Sequence, residues 1–213
     1  MMRRSGSAHA RTGIVLAHGR GGSAADILRL KDGLGLPDVA AIAPEAAGNS
    51  WWPVSFLSPS AQTAAHVVRG IAAMEAAIAV LESDGIARRN IWLGGFSQGA
   101  CLALETFARV GDGLAGVFGL SGGLIGTGDA DGVPDALLYG HGPKRFDYPE
   151  RREGARVWLS VHAQDPHIPL KRAEDTAFVL RDMGADVEMQ VYPGAGHGVM
   201  PADVARMRGW LQG

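Results

Sequence analysis

The sequence predicts an α/β fold, a mostly parallel central sheet with helices on both faces, and three observations predict it. Short apolar runs of strand length alternate with longer runs in helical spacing along nearly the whole chain. The connections between them are mostly short and rich in glycine, proline, serine and aspartate. Runs such as Ile14-Val15-Leu16-Ala17 and Val157-Trp158-Leu159 are continuously apolar, the pattern of strands covered on both sides.

Taken in order, residues 1–12 are polar and small, which predicts a flexible, frayed terminus ahead of a single domain over residues 13–213. Residues 13–17 form the first buried strand. It ends at His18-Gly19-Arg20-Gly21-Gly22-Ser23, and residues 26–36 follow with helical spacing, with Ser23 as the N-cap and Asp26 as its acidic partner. A second strand, residues 39–43, is closed by Pro44. The proline-interrupted, aromatic run from Trp51-Trp52-Pro53 to Phe56-Leu57-Ser58-Pro59 admits two readings, rings tucked against the core or a wall of a pocket.

A long helix then carries Val67, Val68, Ile71, Met74, Ile78 and Leu81, with Ser60 or Thr63 as its cap and Gly85 as its stop. His66 on it reads as a surface or packing residue. Residues 91–93 make a strand, residues 100–110 a helix, and residues 114–120 a further strand. Residues 124–155 are irregular and are read as a solvated connection rather than a lid. A strand at 156–161, a helix at 170–183 ended by Gly184, a strand at 187–192 and a helix at 202–211 complete the chain.

Composition narrows the function. A net charge of −2 from well-mixed acids and bases gives no footprint for nucleic acid or for an anionic membrane. Cys101 is the single cysteine, so neither an intrachain disulfide nor a cysteine-based metal cluster is expected, and a reducing, cytoplasmic setting fits. The basic start Met1-Met2-Arg3-Arg4 has no apolar run behind it to make a signal peptide, and no stretch reads as long and apolar enough to enter a membrane.

The chemistry concentrates at strand ends. Gly95-Phe96-Ser97-Gln98-Gly99 fits G-x-S-x-G, a turn that lifts a serine hydroxyl clear of the sheet. A serine hydroxyl needs an imidazole to take its proton and a carboxylate to orient that imidazole. Asp165 and His197 follow Ser97 in the order serine, acid, histidine, each just beyond a strand. Asp129, Asp131 and Asp135 lie in the irregular segment, and His162 and His167 are less well placed than His197. For the oxyanion, the backbone N–H groups of Gln98 and Arg20 are the expected donors, with the Arg20 side chain free to point to solvent. Trp51, Trp52, Phe56 and His167 are the pocket candidates. The first glycine loop lacks the lysine and the spacing of a nucleotide site, and no set of side chains has metal-ligand spacing, so neither cofactor nor metal is expected.

With these residues on the page, the chain resembles the phospholipase/carboxylesterase family of α/β-hydrolases, the group that includes acyl-protein thioesterases and borders the dienelactone hydrolases. The resemblance rests on His18-Gly19-Arg20-Gly21-Gly22, Gly95-Phe96-Ser97-Gln98-Gly99-Ala100, Leu120-Ser121-Gly122-Gly123, Asp165-Pro166-His167-Ile168-Pro169 and Gly196-His197. It implies hydrolysis of a small-molecule ester or thioester through an acyl-enzyme, without a cofactor, and often in a homodimer. Serine at position 97 departs from the cysteine of dienelactone hydrolases. The Trp51 to Pro59 stretch is more similar to small-ester hydrolases than to the protein-deacylating branch, which implies small to medium carboxylic esters, aryl esters among them.

Overall fold

The computed structural model describes residues 1–148 and 150–212. Among them the backbone forms seven strands, β1 (Met2–Ser5), β2 (Thr12–Ala17), β3 (Val39–Pro44), β4 (Ile91–Phe96), β5 (Gly116–Leu120), β6 (Arg156–Gln164) and β7 (Asp186–Ala195). Five α-helices accompany them: α1 (Ala24–Gly33), α2 (Ser60–Ser83), α3 (Gln98–Val110), α4 (Leu170–Asp182) and α5 (Pro201–Leu211). The strands make one sheet in the order β1-β3-β2-β4-β5-β6-β7, parallel except for β1. This is the predicted class, an α/β-hydrolase fold.

Side-chain alternation along the strands sorts the core into two layers. Val15, Ala17, Leu93, Val117 and Leu159 face α2, α3 and α4, whereas Ile14, Leu16, Trp92, Phe118 and Trp158 face α1 and α5. Both layers are buried, and β4 and β5 carry no polar or charged side chain, which is why they read as continuous runs. Some of the buried polar groups serve as joints. Asp203 of α5, fully buried, accepts from the Trp158 indole of β6 at 2.9 Å and the Tyr192 hydroxyl of β7 at 2.8 Å, while its second oxygen takes the Met200 amide at 2.8 Å. That carboxylate locks the loop after β7 onto the sheet.

Four expectations are corrected. Residues 2–5 are not frayed: they pair antiparallel with β3, Arg3 opposite Ala43 and Arg4 opposite Ile42, and Arg4 ties to Asp84 at 2.5 Å. The strand is exposed on its outer side and so carries no apolar signature. The cap of α2 is neither Ser60 nor Thr63, because Pro59 occupies the cap position without a side-chain bond and the Ser60 hydroxyl donates to Asp129 at 2.5 Å. Helix α2 is also long and apolar enough by composition to cross a membrane, contrary to expectation, yet Val67, Ile71, Met74, Ile78 and Leu81 are buried within the fold. The segment after β5 begins as core rather than as a solvated connection: Leu124, Ile125 and Thr127 are buried, as are Leu138 and Arg152 further on. Ser23 does cap α1, in a reciprocal box with Asp26.

Candidate active site

Strand β4 and helix α3 meet at Ser97, whose φ of 56° and ψ of −121° lie outside the regions a side-chain-bearing residue ordinarily adopts. The strain costs about 1–3 kcal/mol and persists because the surroundings over-determine it. The Ser97 amide donates to Leu120 O at 2.9 Å, and its carbonyl accepts from Cys101 N at 3.0 Å. The flanking glycines are dictated by proximity. A Cβ on Gly95 would strike the carbonyl of Gly99, and one on Gly99 would strike the carbonyl of Ala17, so helix, turn and neighbouring strand close to backbone contact here.

From this turn the Ser97 hydroxyl reaches His197 Nε2 at 2.8 Å, and His197 Nδ1 lies 2.8 and 3.0 Å from the two oxygens of Asp165. Asp165 stands where β6 has ended and His197 where β7 has ended, so the parallel sheet delivers all three to one edge. Asp165 is buried, and its Oδ1 also accepts from the amides of His167 at 2.9 Å and Ile168 at 3.0 Å. Burial pushes this carboxyl up. The bond from His197 and the two amides outweigh burial and hold it below its ordinary value. Two of the rival acids are occupied elsewhere: Asp129 accepts from Ser60 and the Arg145 amide, and Asp135 caps the short turn Ala136–Leu138.

A cavity of about 490 Å³ opens over Ser97 and His197. Trp52, Phe56, Phe96 and Ile168 give it apolar walls, and Arg20, Ser55 and His167 give it polar ones. His167 also meets the His197 ring edge-on, centroids 4.9 Å apart. Three of the four pocket candidates thus line the cavity. Trp51 does not: it turns away, its indole N–H donating to His18 O at 2.9 Å and its ring packing on the His18 imidazole. Trp52 and Phe56 are at once wall and core, 1 % and 7 % exposed, so the two readings of the aromatic run merge.

The Arg20 side chain is exposed, as expected, and from the surface donates to the carbonyls of Pro53, at 3.0 Å, and Val54. Its backbone amide and that of Gln98 meet no protein acceptor among the described residues. Gln98 N sits at the first turn of α3, where the helix dipole favours negative charge. The Gln98 side chain, buried, binds the aromatic loop on both sides: Oε1 accepts from Trp51 N at 2.9 Å and Nε2 donates to Trp52 O at 2.8 Å. The amides of Gly21 and Gly22 are used within the fold by Asn49 O and Gly19 O, which leaves that loop without the free donors of a phosphate cradle.

Two residues shape the site without a sequence signal of their role. His18 is buried beneath the first loop, its Nδ1 bonding Gly19 O at 2.8 Å and its Nε2 accepting from Ala46 N at 3.1 Å, the pattern of a neutral brace. Tyr139, from the irregular segment, reaches across to donate its hydroxyl to the carbonyl of Asp165.

The serine turn, the histidine-carboxylate chain and the parallel sheet define an α/β-hydrolase. Residues 4–136 match the family model for phospholipase/carboxylesterase, and the chain belongs to that family. It is similar to the crystal structure of a phospholipase/carboxylesterase from Dyadobacter fermentans, with 33 % identity and a TM-score of 0.86, over 100 % of this chain and 96 % of that one. Acyl-protein thioesterase 1 of Gibberella zeae is 30 % identical over 130 residues, 61 % of this chain and 50 % of that protein. The Bacillus cereus carboxylesterase shares the fold at a TM-score of 0.75 and 16 % identity, covering 100 % and 94 % of the two chains. The chain spans about half the length of the curated relatives it matches. Asp165 and His197 lie beyond the segment matched by the family model, so their pairing with Ser97 rests on the geometry above.

Proposed function

We propose that the protein is a serine carboxylesterase acting on small to medium carboxylic esters through an acyl-enzyme. The observation that carries this reading is the unbroken chain Ser97 Oγ, His197 Nε2, His197 Nδ1, Asp165, with both outer links at 2.8 Å. His197 takes the Ser97 proton as Oγ attacks the ester carbonyl, Asp165 holds the imidazole with Nδ1 protonated, and the amides of Gln98 and Arg20 receive the oxyanion. The proton then passes from His197 to the departing alkoxide. Water repeats the sequence on the acyl-enzyme and releases the acid.

The walled cavity limits the acyl group. Trp52 and Phe56 are buried rings, so compact acyl or aromatic groups gain contact with them, and the reading disfavours a fatty chain. Thioester hydrolysis, the activity named in the Gibberella zeae relative, uses the same residues and is the second reading.

Covalent labelling tests the site directly. A fluorophosphonate is expected to modify wild type at Ser97 and to leave Ser97→Ala unmodified, with turnover of p-nitrophenyl acetate reduced in the variant by several powers of ten. Retention of more than about a hundredth of wild-type kcat overturns the assignment.

A further inference from the structure

Phe56, a wall of the cavity, is tied through its backbone to a segment far away in sequence. Its carbonyl accepts from the Gly126 amide at 2.7 Å, the next carbonyl, Leu57 O, accepts from the Thr127 hydroxyl, and Ser60 N donates to Thr127 O at 2.8 Å. The later part of the aromatic loop, residues 56–60, therefore hangs on residues 126–127. Among the described residues these two have no strand partner beyond an isolated bridge between Pro59 and Thr127, and the segment preceding them is fixed by buried side chains of α3 and α4.

Arg172 of α4 is the centre of that arrangement. It is fully buried, and Nη1 donates to both Leu124 O, at 2.9 Å, and Gly126 O, at 2.8 Å. Around it Thr176 accepts from the Leu124 amide at 2.9 Å, and the buried carboxylate of Glu105 accepts from the Ile125 amide at 3.0 Å. Its remaining donors, Nε and Nη2, have no hydrogen-bond partner among the described residues, and the Asp175 carboxylate stands 4.0 Å from Nε. A buried guanidinium so incompletely met is costly, and packing alone is served as well by an apolar chain of the same length. What an apolar chain does not supply is the pair of bonds to the 124–126 carbonyls.

We propose that Arg172 is a positioning residue for the acyl cavity, fixing Phe56 through Gly126 and so setting the upper limit on acyl length. The proposal rests on the esterase reading of the site above. Arg172 touches neither Ser97 nor the cavity; its influence runs from α4 to the 124–127 segment and from there to the wall.

The test compares wild type with Arg172→Met, which keeps length and removes both bonds, and Arg172→Lys, which retains a donor. Acetyl, hexanoyl and decanoyl p-nitrophenyl esters are hydrolysed in parallel, kcat and KM are resolved, and hydrogen exchange is followed by peptide over 55–60, 124–127 and 95–104. In Arg172→Met the ratio of hexanoyl or decanoyl to acetyl kcat/KM is expected to rise at least about fivefold, mainly through KM, with acetyl kcat within about threefold of wild type. Exchange is expected to accelerate over 55–60 and 124–127 and to stay unchanged over 95–104, with Arg172→Lys between the two in every measure.

A fall in melting temperature with the ratio moved less than about twofold makes Arg172 structural only and overturns the proposal. If Arg172→Met does not fold, Thr127→Val removes the bond to Leu57 O further along the same chain and must shift the ratio in the same direction; an unchanged ratio overturns it equally. Ester turnover that survives Ser97→Ala defeats the reading of the site, and the local exchange pattern then decides the linkage by itself.

Discussion

Asp165 shows how much one side chain is asked to do. It is buried and must stay ionised to hold His197, and three hydrogen bonds make that affordable against desolvation. Because its folded value is depressed below the unfolded value of about 3.9, the stability it contributes is fully present above that pH and is lost as pH falls through the folded value. The stability difference between wild type and Asp165→Asn is therefore expected to narrow only below about pH 4. Thermal melts across pH 7 to 2.5 check this, and narrowing already above pH 5 contradicts the assigned hydrogen bonding. At neutral pH Asp165→Asn is expected to lower kcat about ten-thousand-fold by imposing the wrong tautomer on His197, whereas Asp135→Asn, whose carboxylate only caps a turn, leaves it unchanged.

Single elements divide into those that tolerate change and those fixed by close approach. Gly99 is in the first turn of α3 and Gly33 is the last residue of α1, and helix propensity alone favours alanine at both. Space decides otherwise. A Cβ at Gly99 meets the Ala17 carbonyl, whereas one at Gly33 meets nothing. Gly33→Ala is expected to be neutral or to stabilise by up to about 1 kcal/mol. Gly99→Ala is expected to cost upwards of about 3 kcal/mol and to abolish fluorophosphonate labelling, because β2 and α3 must part to admit it. Denaturant unfolding of the two variants separates these outcomes; equal stability refutes the contact geometry.

The aromatic loop is a second such element, docked by a side chain far away in sequence. Gln98→Ala leaves the Trp51 amide without its partner, removes one of the two donors to the Trp52 carbonyl, the other being the Ser50 hydroxyl at 2.7 Å, and is expected to cost about 1–3 kcal/mol. Its own backbone amide, and with it the proposed oxyanion donor, stays. A variant that melts earlier but still labels at Ser97 fits; loss of labelling without loss of stability does not.

At the scale of the whole molecule the prediction concerns which esters are accepted. Acetyl to hexanoyl esters are expected to be hydrolysed faster than palmitoyl esters, and Trp52→Ala or Phe56→Ala to flatten that order. Trp51→Ala is expected to cost about 3–5 kcal/mol and to leave the order unchanged, since that ring lies outside the cavity. A preference of wild type for palmitoyl substrates rules out the walled cavity as the determinant.

The sequence by itself determined the parallel strands of the sheet, its helices and the three residues of the hydrogen-bonded chain. Strand runs such as residues 91–93 and helical runs such as 170–183 are local patterns. In a parallel sheet, every residue that follows a strand arrives at the same edge, so Ser97, Asp165 and His197 were legible from order and placement. The tertiary structure decided what depends on contacts between distant segments. Trp51 and Trp52 are adjacent and chemically alike, yet one ring braces His18 and the other faces the cavity, because Gln98, some 46 to 47 positions away, grips the backbone between them. The Arg20 side chain is drawn to the carbonyls of Pro53 and Val54, Tyr139 to that of Asp165, and residues 2–5 to the free edge of β3. None of these segments carries a periodic signal, since each buries little apolar surface of its own and is placed by hydrogen bonds to partners that exist only once the sheet has formed.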